Sequence, residues 1–333
     1  MKIYKTAIIG CGNVASLFDQ KGKTGVAFSH AGAYGLHPRT ELVAACDTDA
    51  KRLKAFAEKW NVPKTYMDYK QMLREETIDI LSVCTSPSTH PAIVREAAKA
   101  KLKAIYCEKP IAMEVADAKV MVKACKAKKI LLMVNHQRRF SPFWREIKTK
   151  IEDGFFGEIQ QVTCHYTRGI FNTGTHILDL FTFLFGPAVW TMAGLSKNKS
   201  PIPHDPNIDG IVRFKNGLTV HLQPCDDANY LIFEIDLLGA KGRLRVGQQV
   251  EYFKAVPAQN LLGKKELVAE KYPFESAYGP ISLTYGVGHI INCLEKKEKP
   301  LSSGEDAAQS LQIIRAMLSS AQKRKPVVIG KKF

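Results

Sequence analysis

The sequence lacks the cysteine patterns that mark a disulfide framework or a zinc site. Its eight cysteines are scattered, with no Cys-x-x-Cys pair and no Cys/His cluster at metal-ligand spacing. Several lie within apolar runs, as buried free thiols in a reducing compartment do. The first residues carry one positive charge and no apolar segment long enough for a signal peptide. We therefore expect a cytoplasmic protein without a metal ion.

A long apolar run is also missing. The most apolar stretch, residues 177–195, contains Asp179 and is interrupted by Gly186 and Pro187. A helix followed by a strand explains this pattern better than a membrane span does. The sequence therefore predicts no membrane association.

Positive charge is abundant: the formal net charge is +16. A basic groove with interleaved aromatic residues would indicate a nucleic-acid partner. The lysines are instead distributed over many predicted helices, as Lys54, Lys99 and Lys126 illustrate. This distribution is typical of a solvated basic surface, which can also steer an anionic substrate or cofactor. We expect no nucleic-acid partner.

The 333 residues suit two domains. In residues 1–136, short apolar runs alternate with segments of helical periodicity. The predicted strands are 6–9, 42–45, 80–84, 104–107 and 130–134, and the predicted helices are 51–59, 91–100 and 115–127. Apolar strands that alternate with helices indicate a parallel sheet covered on both faces. We expect an α/β fold whose N-terminal domain is a doubly wound, Rossmann-type sheet.

Residues 137–333 show a different arrangement of predicted strands and helices. The predicted strands are 159–166, 208–214, 218–223, 232–238 and 242–246, and the predicted helices are 141–152, 174–185, 284–296 and 303–323. Asn216-Gly217 lies between two strands and is typical of a hairpin, and hairpins build antiparallel sheet. We expect a C-terminal α+β domain with a mostly antiparallel sheet.

A glycine-rich turn, Gly10-Cys11-Gly12-Asn13-Val14-Ala15, follows the first predicted strand. In such a Gly-x-Gly-x-x-Ala pattern the first glycine allows a tight bend and the second lets a pyrophosphate approach the backbone. The small third residue lets the helix pack on the strand. The turn predicts dinucleotide binding.

Asp47 ends the second predicted strand, where a carboxylate can accept hydrogen bonds from the adenosine ribose and repel a 2′-phosphate. This favours NAD, although the nearby Arg52 leaves room for NADP. Asp47 could also be a turn former or a helix cap. The interval from Gly12 to Asp47 exceeds the about 20 residues of a minimal unit, and we interpret the Gly- and Lys-rich stretch 20–25 as an inserted loop.

Two polar segments follow the third and fourth predicted strands, where doubly wound sheets bind ligands. They are Thr85-Ser86-Pro87-Ser88-Thr89-His90 and Cys107-Glu108-Lys109-Pro110. A lysine at such a strand end can hydrogen-bond to a substrate hydroxyl, and its charge favours the alkoxide that forms as hydride leaves. On spacing alone, Lys109 could equally be a surface lysine before a turn proline.

These motifs resemble those of the Gfo/Idh/MocA oxidoreductase family over essentially the whole chain. Glu108-Lys109-Pro110 matches the family's Glu-Lys-Pro motif, and the glycine-rich turn and the segment ending in His90 also correspond. The resemblance continues at Arg139-Phe140-x-Pro142, at 174–179 and at 303–306, where the last predicted helix begins. It implies an NAD(P)-dependent oxidoreductase.

The resemblance also implies roles for individual residues. Lys109 would position substrate and nicotinamide, His176 would be the acid/base, and the peptide before Pro110 would be cis. Histidine suits proton transfer near neutral pH, although an isolated helical histidine is more often structural. The residues expected to contact the cofactor are Gly10, Cys11, Gly12, Asn13, Val14, Asp47, Thr85, Ser86, Pro87, His90, Glu108 and Lys109.

The sequence departs from the family pattern at Asn172, where many members carry an aspartate four residues before the histidine. An amide can orient substrate or cap a helix but cannot take a proton at neutral pH. The proton transfer would then depend on His176 with Lys109, and Asp179 could position the histidine or a substrate hydroxyl. We expect Asn172, Asp179 and Arg139 to contact substrate.

We therefore predict hydride transfer between NAD and a secondary carbinol of a sugar, nucleotide sugar or cyclitol, in a homodimer or homotetramer. Two alternatives stay open. One is an NAD-dependent glycosidase that recycles its cofactor within each turnover, and the other is a regulatory protein that binds NAD without catalysis.

Overall fold

The structure is a computed structural model that describes residues 2–19, 25–258 and 261–330. Most of the predicted inserted loop, residues 20–24, lies outside the described residues. The chain forms two compact units, the first comprising Met1–Ser141 and Pro280–Leu311 and the second Pro142–Gly279 and Gln312–Phe333. The C-terminal part of the chain thus contributes a segment to the first unit, and the functional division into 1–136 and 137–333 stays a prediction.

The strands and helices follow one another in this order along the chain. The strands are β1 (Tyr4–Ile9), β2 (Thr40–Cys46), β3 (Lys64–Tyr66), β4 (Ile80–Val83), β5 (Ala104–Cys107), β6 (Leu131–Val134), β7 (Ile159–Tyr166), β8 (Ala188–Leu195), β9 (Ile208–Phe214), β10 (Thr219–Pro224), β11 (Phe233–Gly239), β12 (Gly242–Val246), β13 (Val250–Pro257), β14 (Lys265–Glu270) and β15 (Val327–Val328). The α-helices are α1 (His30–Leu36), α2 (Ala50–Trp60), α3 (Tyr69–Glu75), α4 (His90–Ala97), α5 (Val115–Ala127), α6 (Pro142–Glu152), α7 (Thr175–Phe185), α8 (Thr284–Leu294) and α9 (Gly304–Lys323).

The first unit is built on a six-stranded sheet in the order β3-β2-β1-β4-β5-β6. Every neighbouring pair in it is parallel. The central strands are buried along their length, because parallel strands joined through helices are covered on both faces. The predicted doubly wound, Rossmann-type sheet is confirmed, and its order places the carboxyl ends of β1, β2, β4 and β5 at one edge.

Local capping explains where several helices of this unit begin and end. Asp49 accepts the N–H of Arg52 at 3.0 Å and starts α2, and Asn61, in the left-handed region at φ 53°, ends it. Ser29 caps α1 by accepting the N–H of Gly32. The side chains of Asp49 and Ser29 satisfy backbone donors that a helix start leaves unpaired, and Asn61 ends α2 through its backbone conformation.

The second unit contains a nine-stranded sheet in the order β14-β13-β12-β11-β7-β10-β9-β8-β15. Its pairs are antiparallel except for β10 and β7, so the predicted mostly antiparallel sheet is confirmed. Gly217, at φ 92°, lies in the predicted hairpin between β9 and β10. Alternate residues of β7 are buried, among them Val162, Cys164 and Tyr166, because one face of the sheet packs on the core.

Within the described part of the chain, no helix is both long enough and apolar enough to cross a membrane.

Candidate active site

The glycine-rich turn leaves β1 in a conformation that only glycine adopts easily. Gly10 has φ +88°, and a Cβ there would lie 2.9 Å from the carbonyl carbon of Cys84. Around Gly12, in contrast, no atom of the residues that the structure describes lies within 4 Å of such a Cβ. The turn leads into a short π-helix, Asn13–Leu17, that no side chain among the described residues caps at its start. Open space beside Gly12 and an uncapped helix start suit the pyrophosphate of a dinucleotide.

Asp47 lies directly after β2 and is fixed by the turn it faces. Its Oδ2 accepts the backbone N–H of Cys11 at 2.8 Å and pairs with the Arg52 guanidinium at 3.1 Å. Its Oδ1 accepts the N–H of Asp49 at 2.9 Å. Asp47 therefore ties the glycine-rich turn to the start of α2, and it stands where a ribose-binding carboxylate is expected.

Cys11 contributes to this turn through its backbone. Its side chain is 1% exposed and contacts the carbonyl of Cys46. Burial raises the pKa of the Cys11 thiol, and the neighbouring Asp47 raises it further. The thiol is thus protonated and unreactive at neutral pH.

The segment after β4 runs from Thr85 through Ser86 and Pro87 to His90. Thr85 and Pro87 are half-buried and Ser86 is exposed, whereas the His90 side chain is fully buried. The Nε2 of His90 lies 3.0 Å from the Thr85 carbonyl, and its Nδ1 lies 3.2 Å from the Pro110 carbonyl. His90 therefore links the Thr85 segment to the turn after β5, and direct contact with a cofactor stays a prediction.

The turn after β5 contains a buried carboxylate. Glu108 is 5% exposed and accepts hydrogen bonds from His30 at 2.9 Å and Asn135 at 2.7 Å. Burial raises the pKa of Glu108, but the hydrogen bond from His30, its charge and that of Lys109 outweigh this and hold the pKa below its usual value. Glu108 is therefore ionised at neutral pH although it is inside the protein.

Lys109 follows Glu108 and is half-buried. The peptide between Lys109 and Pro110 is cis, so this prediction is confirmed. The backbone N–H of Lys109 donates to the Glu108 carboxylate at 3.2 Å. The structure thus places an ammonium group at the carboxyl end of a central strand, beside a fixed negative charge.

Arg139 is buried, with 4% of its surface exposed. Its guanidinium donates to the Leu301 carbonyl at 2.9 Å and lies 3.4 Å from the Asp306 carboxylate. These contacts hold the 301–306 segment to the first unit and account for the burial of Arg139. A contact with substrate stays a prediction.

In the second unit, a π-helical turn, Gly169–Gly174, precedes α7 and carries Asn172. The Asp205 carboxylate accepts the N–H of Phe171 at 2.7 Å and that of Asn172 at 2.8 Å. Gly169 has φ +80°, and a Cβ there would lie 2.2 Å from the Asp205 carboxyl carbon. Asp205 therefore fixes the turn that starts α7.

His176 and Asp179 lie in the first turns of α7. His176 is half-buried, whereas Asp179 is 1% exposed. Because Thr175, Ile177 and Leu178 are buried, the helix is anchored on the core and His176 is held on a rigid element.

Sequence reasoning missed His30, Asn135 and Asp205. His30 lies in a seven-residue helix with two glycines, which is too short to show helical periodicity. Asn135 directly follows β6, the last strand of the parallel sheet along the chain. Ligands bind at the carboxyl ends of such strands, so this position in the sequence could have identified Asn135. Asp205 lies in a loop far along the chain from Asn172, so nothing in the sequence relates the two.

A doubly wound sheet with a glycine-rich turn, an acidic residue after β2 and a lysine after β5 defines an NAD-binding oxidoreductase. Residues 4–136 match the family model for the NAD-binding Rossmann fold of the Gfo/Idh/MocA oxidoreductase family. Residues 169–329 match the model for its C-terminal alpha/beta domain. The chain belongs to this family.

Several known proteins resemble the chain over most of its length. The D-apiose dehydrogenase of Paraburkholderia graminis is 28% identical over 98% of this chain and 90% of that protein. The myo-inositol 2-dehydrogenase of Thermotoga maritima is 26% identical over 86% of this chain and 90% of that protein. The WlbA dehydrogenase of Bordetella pertussis, solved in complex with NADH and UDP-GlcNAcA, is 25% identical with a TM-score of 0.79, covering 100% of both chains.

This chain is therefore an enzyme, an NAD-dependent dehydrogenase that acts on CH–OH groups. The finding leaves the alternative of a non-catalytic regulatory protein without support.

Proposed function

We propose that the chain transfers hydride between NAD and a secondary alcohol of a sugar, nucleotide sugar or cyclitol. In the oxidation direction the C–H hydride passes to the nicotinamide ring, the hydroxyl proton passes to a base, and the alcohol becomes a ketone. The relatives named for apiose, for myo-inositol and for a complex with UDP-GlcNAcA support this range of substrates.

The observation that carries the proposal is the Lys109 turn. NAD supplies the hydride acceptor when bound, and residues 10–14 and Asp47 would hold its pyrophosphate and ribose. Lys109 would donate a hydrogen bond to the substrate oxygen and stabilise the negative charge that develops there. The buried Glu108 carboxylate fixes the backbone from which this lysine extends.

His176 would take the hydroxyl proton during oxidation and return it during reduction. Asn172, which cannot ionise, would orient a substrate hydroxyl through its amide. Asp179 and Arg139 are proposed to support substrate binding. The loops 202–208 and 226–230 of the second unit are proposed to set the choice of substrate.

The test is an assay of the purified chain with NAD and a panel of polyols and nucleotide sugars, followed by NADH absorbance. We expect Lys109→Ala to reduce kcat by about 10²-fold or more, because a donor to the developing oxyanion is lost, while calorimetry still detects NAD binding. Lys103→Ala is the matched control, since Lys103 precedes β5 whereas Lys109 follows it, and it should keep its turnover.

Turnover by Lys109→Ala within about threefold of the wild type would contradict the proposed role, given the 10²-fold loss expected for a lost oxyanion donor. Cleavage of a glycoside without net NADH would instead identify the NAD-dependent glycosidase.

We also infer that the enzyme is a cytoplasmic homodimer or homotetramer. The family resemblance favours an oligomer, and all eight cysteines, which lie within the described residues, are free thiols, as suits a reducing compartment. Light scattering of the purified chain should give two or four times the 37.1 kDa of the monomer. A monomeric mass would overturn this inference.

A further inference from the structure

A continuous line of hydrogen bonds lies beneath the Lys109 turn. Tyr34 Oη lies 2.7 Å from Ser82 Oγ, Ser82 Oγ lies 2.8 Å from His30 Nδ1, and His30 Nε2 lies 2.9 Å from Glu108 Oε1. His30 and Ser82 are 0% exposed and Tyr34 is 1% exposed. The line joins α1, β4 and the turn after β5 inside the first unit.

A second branch reaches the same carboxylate oxygen. Asn135 Nδ2 donates to Glu108 Oε1 at 2.7 Å, and Asn135 Oδ1 accepts the Tyr106 hydroxyl at 2.5 Å. The Glu108 carboxylate fixes which end of the Asn135 amide faces it, because the carboxylate only accepts and only the amide nitrogen can donate. Two donors therefore converge on one oxygen of Glu108.

The donor at Glu108 can then be assigned. The ionised Glu108 carboxylate can only accept, so Nε2 of His30 carries a proton and donates to it. The other ring nitrogen of His30, Nδ1, faces the Ser82 hydroxyl, which in turn faces the Tyr34 hydroxyl.

We propose that His30 is a positioning residue for catalysis, which orients Glu108 and through it the backbone and ammonium group of Lys109. The proposal rests on the proposed function of Lys109. In this role His30 acts through the Glu108 carboxylate, to which it is hydrogen-bonded, and not on the reacting atoms.

Charge supports this assignment. The titratable groups that face Glu108 come from every element packed around it: His30 on α1, Cys84 after β4, His90 on α4, Tyr106 and Cys107 on β5, and Lys109 in the same turn. Of these, His30 and Lys109 lower the pKa of Glu108, together with the Asn135 hydrogen bond, against the effect of burial. Without His30, burial should raise the pKa of Glu108.

The experiment compares His30→Leu and His30→Gln, each alone and combined with Glu108→Gln. Glutamine keeps a donor toward Glu108, whereas leucine has none. The matched control is His289→Leu, since His289 is 5% exposed and pairs in the same unit with another carboxylate, the half-buried Glu298, at 2.6 Å. Steady-state kinetics are measured across pH, and the free energy of unfolding is measured across the same range.

We expect His30→Leu to lower kcat by about 10- to 100-fold, as losing a supporting partner of an active-site group does, with a smaller change in the KM for NAD. Its kcat should also fall as pH falls through the raised pKa of Glu108, because protonated Glu108 no longer holds the turn. His30→Gln should recover most of the loss. In the Glu108→Gln background, His30→Leu should add less than about twofold, since the two residues act as one unit.

The unfolding measurement separates this proposal from the proposed function, because it needs no turnover. In His30→Leu the pKa of Glu108 should lie above its unfolded value. The variant should then lose stability, relative to the wild type, as pH rises from about 5 to about 8. The double variant should not show this loss.

Equal losses from His30→Leu in both backgrounds would overturn the proposal, as would an unchanged pH profile or the same profile in His289→Leu. If the substrate panel gives no turnover, the unfolding arm still decides whether His30 acts on Glu108.

Discussion

Gly10 and Gly12 lie two residues apart, and glycine is favoured at the two positions for different reasons. Gly10 is required by the fold, because its φ of +88° and the backbone of Cys84 leave no place for a Cβ. No atom of the described residues lies within 4 Å of a Cβ at Gly12, and its φ of −82° is a value that any residue adopts. We therefore expect the ligand, rather than the fold, to favour glycine at this position.

We expect Gly10→Ala to lower the free energy of unfolding by about 1–3 kcal/mol through strain and overlap. Gly12→Ala should change stability by less than about 0.5 kcal/mol but raise the Kd for NAD at least about tenfold, or about 1.4 kcal/mol. Urea denaturation and calorimetry on both variants test the pair. Equal effects on stability would contradict this division of roles.

We expect Asp47 to decide between the two dinucleotides. Replacement by serine removes the charge that repels a 2′-phosphate and releases the Arg52 guanidinium. We expect Asp47→Ser to raise the ratio of kcat/KM for NADP to that for NAD by about tenfold or more.

Asp49→Ser is the control, since the exposed Asp49 carboxylate also pairs with Arg52, at 3.2 Å. It should change the ratio little, and a similar change in both variants would argue against ribose recognition by Asp47.

At the scale of elements, the turn before α7 depends on a loop distant in sequence. Asp205 accepts two backbone N–H groups of this turn, and Asn207 accepts the N–H of Gly169 at 2.8 Å. The position of Asn172 and the start of the helix that bears His176 therefore depend on both loop residues.

Asp205→Ala should lower the free energy of unfolding by about 2–4 kcal/mol, since hydrogen bonds to a charged group contribute about 1.5–3 kcal/mol each. It should also reduce kcat, because Asn172 and the start of α7 lose their support. Asp68→Ala provides the comparison: the Asp68 side chain is exposed and accepts one N–H, from Lys70. A loss confined to stability, with kcat retained, would show that the turn does not depend on Asp205 for its function.

Elements with a clear pattern could be predicted, and those without one could not. The bounds of α5, β5, β7, β9 and β12 agree with the sequence prediction, because each shows a regular apolar pattern. The unpredicted β3 has three residues, none of them buried, and β14 is exposed along its whole length. Such strands form because a neighbouring strand offers hydrogen bonds, which their own sequence does not encode.

At the scale of the molecule, the high positive charge and the carboxylates with lowered pKa values should both make the folded chain less stable in acid. Burial raises the pKa of Asp79, but the hydrogen bond from Lys103 outweighs it and the net pKa is lowered. Burial also raises the pKa of Glu146, but hydrogen bonds donated by the backbone of Ser276 and Glu275 outweigh it, and the net pKa is lowered. For His90, burial lowers the pKa.

We expect stability to fall steadily as pH is lowered from about 7 to about 3. The His90 contribution is lost first, below about pH 6.5, because the unfolded histidine binds a proton more readily than the folded one. The carboxylate contributions, present above the unfolded pKa values, are lost as pH falls through the lower folded values. Repulsion within a chain of net charge +16 adds to the loss.

Urea midpoints across this range test the expectation, and Asp79→Asn should flatten the acid part of the curve. A midpoint that stays constant or rises on acidification would contradict it.

The sequence by itself determined the doubly wound sheet and the glycine-rich turn, because periodicity and turn chemistry are properties of consecutive residues. The resemblance of its motifs to the Gfo/Idh/MocA family implied the cis peptide before Pro110 and an NAD-dependent oxidoreductase. Only the tertiary structure decided that His30 and Asn135 converge on Glu108, that Asp205 supports the Asn172 turn and that His90 is buried between two backbone segments. Such contacts join residues that are distant in sequence, and a hydrogen bond between them exists only once the strands have brought them together.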